Sequence, residues 1–253
     1  MSDDVLVETR GPTVTLRLNR PAKHNAITAG MYESLADALE AVDPAATPFV
    51  LLTGSGTAFT AGNDLADMKA NPPRGEQPAP VRFLDALSRT DAVVIAAVDG
   101  HAIGIGTTLL LHCDLVYASA RSTFRFPFVD LGLVPEAAST LLLPQLIGHQ
   151  RAAQAMLFGE SFSAAEAQAA GFVNEVVPTA KDLEALVAHR MSVLGTKPRA
   201  ALSAIKRLLR DDTATSVNTR LALDSKVLTE LLSGAGQNEA IGLAGFRVPD
   251  GDR

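Results

Sequence analysis

The stretch AVVIAAVDGHAIGIGTTLLLHCDLVYAS, residues 92–119, decides the fold class. Its first seven residues are apolar, which is typical of a strand buried on both faces of a sheet. A glycine-containing loop follows at 99–106, then an apolar helix predicted for 107–113 and a second strand at 114–119. A strand, a glycine loop, a helix and a strand in this order indicate an α/β layered fold.

The same order of elements occurs once before in the chain. Alternation of apolar residues predicts a hairpin of strands at 5–10 and 13–19, and Thr28 can cap the helix that follows. The apolar run at 49–53 is typical of a buried strand, and a loop rich in glycine and small residues follows at 54–64. The two occurrences predict repeated ββα or βαβ units around one layered core.

The second half of the chain is predicted to be mostly helical. Ser163 and Glu166 have the spacing of a helix-capping box, and a last strand is predicted at 173–178. Residues 71–80 contain four prolines, which cannot donate backbone hydrogen bonds, and this segment is predicted to be a mobile surface loop. A short helix is predicted directly after it, from residue 81 onward.

Amphipathic periodicity predicts three late helices, at 181–194, 198–210 and 215–233. We therefore divide the chain into a core at 1–195 and a C-terminal helical region at 196–253.

Composition excludes several classes of protein. The chain has 253 residues, 47% of them hydrophobic, and a net charge of -6, so a basic surface for nucleic acid is not expected. A lone Cys113 and five histidines without ligand spacing predict neither a disulfide nor a metal site. No apolar stretch approaches the roughly 20 residues of a membrane helix, and neither a signal peptide nor a peroxisomal address is recognised. We expect a soluble, cytoplasmic protein.

Glu136 is the first candidate for chemistry. It follows Pro135 in LVPEAAS (133–139), where the pattern predicts the start of a helix. Apolar neighbours predict a raised pKa, which would allow the carboxylate to act as a base near neutral pH. Proline followed by glutamate is also an ordinary helix start, so a structural interpretation stays open.

The two glycine loops are candidates for a ligand site, although neither has the spacing of a nucleotide-binding fingerprint. Each follows a strand, and glycine allows backbone amides to approach a ligand closely. Two amides directed at one point would make an oxyanion hole, while the alternative for each loop alone is a simple turn.

Five segments resemble the crotonase, or enoyl-CoA hydratase/isomerase, superfamily. In order along nearly the whole chain they are NRPAKHNAIT (19–28), LLTGSGTAFTAGNDL (51–65), DGHAIGIGTTLLLHCDLVYAS (99–119), FPFVDLGLVPEAAS (126–139) and FSAAEAQAAGFVNEVV (162–177). The resemblance implies a right-handed spiral of ββα units and a helical C-terminal region used in trimerisation. It also implies an acyl-CoA thioester as the partner, no cofactor besides the coenzyme A of the substrate, and a homotrimer or a dimer of trimers.

The resemblance also implies roles for particular residues. The backbone amides of Asn63 and Ile105 would hold the thioester oxygen as an enolate, and Lys23 would lie near the phosphates of coenzyme A. The carbonyl of Ala61 would meet the adenine. The implied binding residues are Lys23, Ala61, Gly62, Asn63, Asp64, Leu65, Gly104 and Ile105.

Two positions depart from the hydratases of this family, which use a pair of glutamates. Those positions hold Thr108 and Phe128 here, and neither side chain can act as a carboxylate base. The sequence is closer to the Δ3,Δ2-enoyl-CoA isomerase type, whose single glutamate aligns with Glu136. Asp64 and Asp130 are competing carboxylates, and for Asp64 a structural hydrogen-bonding role is favoured.

Three functional hypotheses stay open. The first is an isomerase that converts 3-enoyl-CoA to trans-2-enoyl-CoA with Glu136 as its base. The second is a hydratase, or another crotonase chemistry, with a differently placed acid/base group. The third is an acyl-CoA-binding protein without catalysis.

Overall fold

The computed structural model describes residues 3–72 and 77–234, and within them nine strands form two sheets. In chain order the strands are β1 (Val5–Arg10), β2 (Thr13–Leu18), β3 (Phe49–Gly54), β4 (Val93–Val98), β5 (His101–Ile103), β6 (Leu115–Ser119), β7 (Thr123–Arg125), β8 (Ser161–Ser163) and β9 (Glu175–Val177). The strands expected from apolar runs are all present, with ends that differ by one or two residues.

The main sheet runs in the order β1, β2, β3, β4, β6, β9, and the smaller sheet in the order β5, β7, β8. β1 and β2 form the expected antiparallel hairpin, whereas the other neighbours in the main sheet are parallel. Parallel strands need crossover connections, and the helices supply them. An α/β fold with a parallel sheet is therefore confirmed.

Helices occupy most of the remaining described chain. They are α1 (Ala29–Glu40), α2 (Leu65–Ala70), α3 (Ala79–Arg89), α4 (Ile105–Thr108), α5 (Ser139–Ile147), α6 (His149–Phe158), α7 (Ala164–Ala169), α8 (Ala180–Gly195) and α9 (Arg199–Gly234). The caps expected from the sequence are present: the Thr28 hydroxyl accepts from the Met31 amide, and Ser163 and Glu166 form a capping box. None of the described helices is long and apolar enough to cross a membrane.

Two helix predictions are wrong in detail. The helix predicted at 107–113 is α4, which begins earlier, followed by a 3-10 turn at Leu109–His112. The helices predicted at 198–210 and 215–233 are one helix, α9, of 36 residues. The polar run between them contains neither glycine nor proline, so it removes no backbone donor and does not interrupt the helix.

Two other expectations are not decided by the fold. Of the proline-rich segment 71–80, residues 73–76 lie outside the described residues, and α3 begins at Ala79. The proposed division of the chain after residue 195 stays a prediction.

The core explains the continuous apolar run in β4, since all six of its residues are buried. Val94, Ala96 and Val98 belong to the larger cluster on one side of the sheet. Val93 and Ile95 face the other side, where Leu183 and Val187 of α8 cover them. Because successive side chains of a strand point to opposite faces, burial on both faces requires an apolar residue at every position.

Candidate active site

The residues that the sequence predicts to form a site line one cavity of about 320 Å³. It is lined by every predicted binding residue and by the predicted base, namely Lys23, Ala61, Gly62, Asn63, Asp64, Leu65, Gly104, Ile105 and Glu136. Apolar side chains complete the wall, namely Leu65, Met68, Ile103, Phe128, Leu131, Leu133 and Leu228. The structure therefore places these residues together, and their chemical roles remain predictions.

The two glycine loops meet because both follow parallel strands, whose carboxyl ends lie at the same edge of a sheet. A bridge joins them: the Thr60 amide donates to the His101 carbonyl at 2.9 Å, and the Ile103 amide donates to the Thr60 carbonyl at 3.0 Å. Gly62 lies beside this bridge with φ at 88°, and an added Cβ would be 2.6 Å from the Ile103 carbonyl oxygen. Glycine is thus required there both for its backbone angle and for the close approach.

The amides of Asn63 and Ile105 are available to a ligand for different reasons. Asn63 forms a parallel bridge with Ile27, in which the neighbouring residues Gly62 and Asp64 make the hydrogen bonds. Ile105 is the first residue of α4, where an amide has no carbonyl four residues earlier within the helix. Among the hydrogen bonds of the described residues, neither amide is a donor.

Glu136 lines the cavity and is half-buried. The Thr108 hydroxyl donates a hydrogen bond of 2.7 Å to its Oε1. Burial raises the pKa of Glu136 to about 7, with a smaller rise from the charge of Asp224, while the Thr108 hydrogen bond acts in the opposite direction. A carboxyl group with this pKa can accept and return a proton near neutral pH.

The turn around Glu136 is not the helix start that the sequence predicts. Helix α5 begins three residues later, at Ser139, and the intervening Ala137 and Ala138 have φ of 60° and 53°. The left-handed region costs roughly 1–2 kcal/mol for a residue with a Cβ, so other contacts must hold this turn. Strained backbone of this kind is concentrated at functional sites.

The positions that depart from the hydratase pattern both face the cavity region. Thr108 is fully buried and contacts Glu136 through the hydrogen bond described above. Phe128 is 5% exposed and lines the cavity beside Leu131 and Leu133, which adds to the apolar surroundings of the carboxyl group.

The competing carboxylates have structural partners. Asp64 caps α2 by accepting from the amides of Ala66 and Asp67 at 3.1 Å each, and Arg20 Nη1 lies 3.0 Å from its Oδ2. Burial raises the pKa of Asp64, but the Asp67 amide and Arg20 outweigh burial, and its pKa is lowered overall. Asp130 is ion-paired with Arg125 at 2.9 Å. Asp64 is therefore ionised and occupied as a hydrogen-bond acceptor.

Sequence reasoning missed three residues of the site region. Tyr32 donates a hydrogen bond to the Asn63 side chain, and burial raises its pKa well above the usual value. Leu228 lines the cavity from α9, and Asp224 of the same helix lies close enough to raise the pKa of Glu136. The sequence contained a signal for Asp224, because helical spacing places this charged residue on the same face as the apolar Val217, Leu221 and Leu228.

Within the residues that the structure describes, no group of three or more histidine, cysteine, aspartate or glutamate side chains could hold a metal ion.

The fold and the site together define an α/β protein whose pocket combines two available amides with one half-buried carboxyl group of raised pKa. The sequence model of the family described as enoyl-CoA hydratase/isomerase matches residues 8–246. The crystal structure of an enoyl-CoA hydratase/isomerase from Pseudoalteromonas atlantica T6c has a TM-score of 0.89 at 37% identity, over 95% of this chain and 96% of that one.

Two curated relatives carry different activities in their names. Enoyl-CoA delta isomerase 2 of Rattus norvegicus is 35% identical over 215 residues, which are 83% of this chain and 55% of that protein. The 2,3-dehydroadipyl-CoA hydratase of Escherichia coli (strain K12) is 32% identical over 98% of each chain. This chain thus spans about half the length of the delta isomerases that it matches.

The chain belongs to the enoyl-CoA hydratase/isomerase family, which is a family of enzymes. The resemblance noted in the sequence and the crotonase fold class are both confirmed.

Proposed function

We propose that the protein is an acyl-CoA double-bond isomerase that converts 3-enoyl-CoA to trans-2-enoyl-CoA. The observation that supports this most directly is the set of carboxyl groups in the cavity wall. Among the described lining residues these are Glu136 and Asp64. Asp64 is ion-paired with Arg20 and accepts a hydrogen bond from the first turn of α2. One carboxyl group with a pKa of about 7 remains for proton transfer.

The chemistry of isomerisation needs one such group. Glu136 removes a proton from C2 of the 3-enoyl thioester, and the electrons move onto the thioester oxygen to give a dienolate. The amides of Asn63 and Ile105 stabilise that oxygen, and one donor of this kind contributes roughly 2.7–4 kcal/mol. Glu136 then returns the same proton to C4, and the double bond becomes conjugated with the carbonyl.

The remainder of the pocket fits an acyl-CoA ester. The apolar wall excludes water from the dienolate, which favours proton return over side reactions. Lys23, in the 3-10 turn Pro21–Lys23, supplies a cation at the exposed mouth for the coenzyme A phosphates. No cofactor other than this coenzyme A group is invoked.

A second candidate function is hydration or another crotonase chemistry. It is favoured by the 2,3-dehydroadipyl-CoA hydratase of Escherichia coli, which is related over nearly its whole length. Against it stand Thr108 and Phe128, which cannot exchange protons with a water as two glutamates would. Binding of acyl-CoA without catalysis is the third candidate, and the same assay separates it from the other two.

The proposal extends to the assembly and the compartment. We propose a homotrimer or a dimer of trimers, because the C-terminal helix leaves apolar side chains on its outer face, among them Leu208 and Leu209. We also propose that the protein acts in the cytoplasm.

The test is a side-by-side assay of 3-enoyl-CoA and trans-2-enoyl-CoA with the wild type and Glu136→Gln. We expect isomerisation to exceed hydration in the wild type, and kcat of the variant to fall about 10²–10⁴-fold, which is the usual contribution of a general base. Calorimetric binding of a saturated acyl-CoA should be retained, because the base does not hold the coenzyme A group.

The matched control is Glu33→Gln, the same change at an exposed position of α1. It should leave both rates unchanged. Wild-type turnover by Glu136→Gln would refute the role of this residue, faster hydration than isomerisation would favour the second candidate, and tight binding without turnover of either substrate would favour the third.

A further inference from the structure

We propose that Asp224 and His112 are positioning residues, which hold one peptide group from both ends and thereby fix the catalytic glutamate in the pocket. The peptide group joins Ala137 to Ala138, directly after Glu136. The proposal rests on the proposed role of Glu136 as the base, and it adds two residues that the family resemblance did not mark.

Both hydrogen bonds fall on the same peptide group. His112 Nε2 lies 2.8 Å from the carbonyl oxygen of Ala137. The amide of Ala138 donates to Asp224 Oδ2 at 2.9 Å. Since a carbonyl oxygen can only accept, the proton of the His112 ring lies on Nε2. We call this arrangement the peptide clamp.

The protonation of His112 suits this role. The side chain is half-buried, and desolvation lowers its pKa, as do the charges of Arg210 and Lys206, although the bond to Ala137 acts against them. The ring is therefore neutral near pH 7 and carries a single N–H. That N–H donates its hydrogen bond to the Ala137 carbonyl.

The clamp acts on a turn that would not hold its shape alone. Ala137 and Ala138 both have φ in the left-handed region, which alanine rarely adopts. Within the turn, the Ser139 amide donates to the Glu136 carbonyl at 3.1 Å. Rotation of the clamped peptide would change the backbone angles next to Glu136 and move its carboxyl group away from Thr108 and the two oxyanion amides.

Asp224 occupies a buried position on α9 at which an apolar residue would stabilise the fold better. It is 6% exposed, on the face of α9 that also carries Val217, Leu221 and Leu228. Burial raises its pKa to about 6, while the Ala138 amide and the charge of Arg220 favour its ionised form. A buried carboxylate at such a position is costly, so a role in the site accounts for it better than packing does.

Asp224 has a second effect through its charge. The groups that influence the protonation of Glu136 are the apolar surroundings, the Thr108 hydroxyl and Asp224, and Tyr32 interacts with Glu136 electrostatically. Asp224 itself faces Arg220. Loss of the Asp224 charge would therefore lower the pKa of Glu136, which a purely structural residue would not do.

The test compares variants that remove the clamp with variants that keep its hydrogen bonds. Asp224→Ala and His112→Leu each remove one bond, and we expect kcat to fall about 10- to 100-fold, since a small misplacement of a reacting group has this effect. KM should stay within about twofold, because the coenzyme A contacts lie elsewhere. His112→Gln retains a donor at the place of Nε2 and should recover most of kcat.

Asp224→Asn gives the readout that separates positioning from packing. Its side-chain oxygen can still accept from the Ala138 amide, so kcat at high pH should stay near the wild-type value. The acidic limb of the rate profile should move to lower pH, because the negative charge beside Glu136 is gone. If the Asp224→Ala/His112→Leu double variant loses no more than one single variant does, the two residues act on one element.

The control is Val217→Ala, which weakens the packing of the same face of α9 seven residues earlier. It should lower thermal stability and leave kcat and the pH profile of the folded protein unchanged. The clamp is refuted if Asp224→Ala and His112→Leu keep wild-type kcat, or if Val217→Ala loses as much activity as they do. An active Glu136→Gln would instead refute the proposed function, so the two failures are distinguishable.

Discussion

Thr108 affects the protonation of the Glu136 carboxyl group. In place of a second acid/base group it presents a hydroxyl, which donates to Glu136 Oε1 at 2.7 Å. Such a donor favours the ionised form of a carboxylate, whereas burial and the charge of Asp224 favour the protonated form. The pKa of about 7 is the balance of these effects, and it keeps a large fraction of Glu136 ready to accept a proton at neutral pH.

Thr108→Val removes the hydroxyl and keeps the shape of the side chain. We expect the pKa of Glu136 to rise further, because the one contribution that lowers it is lost. A hydrogen bond to a charged group is worth about 1.5–3 kcal/mol, so the acidic limb of the kcat profile should move up by about one to two pH units. Activity at pH 6 should therefore fall much more than activity at pH 9.

Thr108→Ser is the matched control, since it keeps the donor and removes a methyl group. Its acidic limb should coincide with that of the wild type. An unchanged limb in Thr108→Val would show that this hydrogen bond does not set the protonation of Glu136.

At the scale of elements, α9 connects distant parts of the molecule. Near its start, Lys206 is ion-paired with Asp114 at 2.6 Å and donates to the Ala92 carbonyl at 2.5 Å. Further along, Asp224 contacts the turn after Glu136, and Leu228 reaches the cavity. The orientation of this one helix therefore affects both the site and the segments that enter β4 and β6.

Lys206→Met tests how α9 is attached. The side chain of Lys206 is 4% exposed, and Asp114 also accepts from the Val94 amide at 2.7 Å. Removing one partner of a buried ion pair costs about 3–5 kcal/mol, and we expect about 3 because Asp114 is partly exposed. Urea unfolding measures the loss, and Lys206→Met/Asp114→Asn should recover part of it.

Arg190→Met is the control for this prediction. Arg190 and Glu175 are ion-paired at 2.6 Å, but both side chains are exposed. Exposed pairs contribute little, so the loss of stability should be much smaller than for Lys206→Met. Equal losses in the two variants would contradict a dominant role of burial.

Local signals in the sequence were sufficient for much of the fold. The run at 93–98 is a strand because every position is apolar, and the caps at Thr28 and Ser163 are recognisable from a few residues. The turn after Glu136 was not predictable in this way. Alanine favours the right-handed helix, and the left-handed conformation there depends on contacts from remote segments, such as that of Asp224, 86 residues from Ala138.

The candidate site was predictable to a different degree. The family resemblance identified the pocket residues, from Lys23 to Glu136, and all of them line one cavity. Asp224 and Leu228 were not found: helical periodicity places both on one face of α9, but no motif in the sequence connects that face with the pocket. Only the packing of α9 against the core brings these two side chains to the cavity.

At the scale of the whole molecule, the outer face of α9 predicts an assembly. Ile205, Leu208 and Leu209 are 56%, 73% and 77% exposed, and their spacing of three and four residues places them on one stripe. Lys206, which follows Ile205 in the sequence, is by contrast buried. An exposed apolar stripe on an amphipathic helix is a common mark of a contact between subunits.

We expect the wild type to have three or six times the 26.5 kDa mass of the protomer in light scattering coupled to size exclusion. Leu208→Glu/Leu209→Glu should shift it to smaller species, because carboxylates buried in a subunit contact would lose hydration without partners. Leu6→Glu makes the same change at an apolar residue that is 43% exposed on β1 and should leave the mass unchanged. A monomeric wild type, or an unchanged mass in the α9 variant, would contradict the assignment of this stripe to subunit contact.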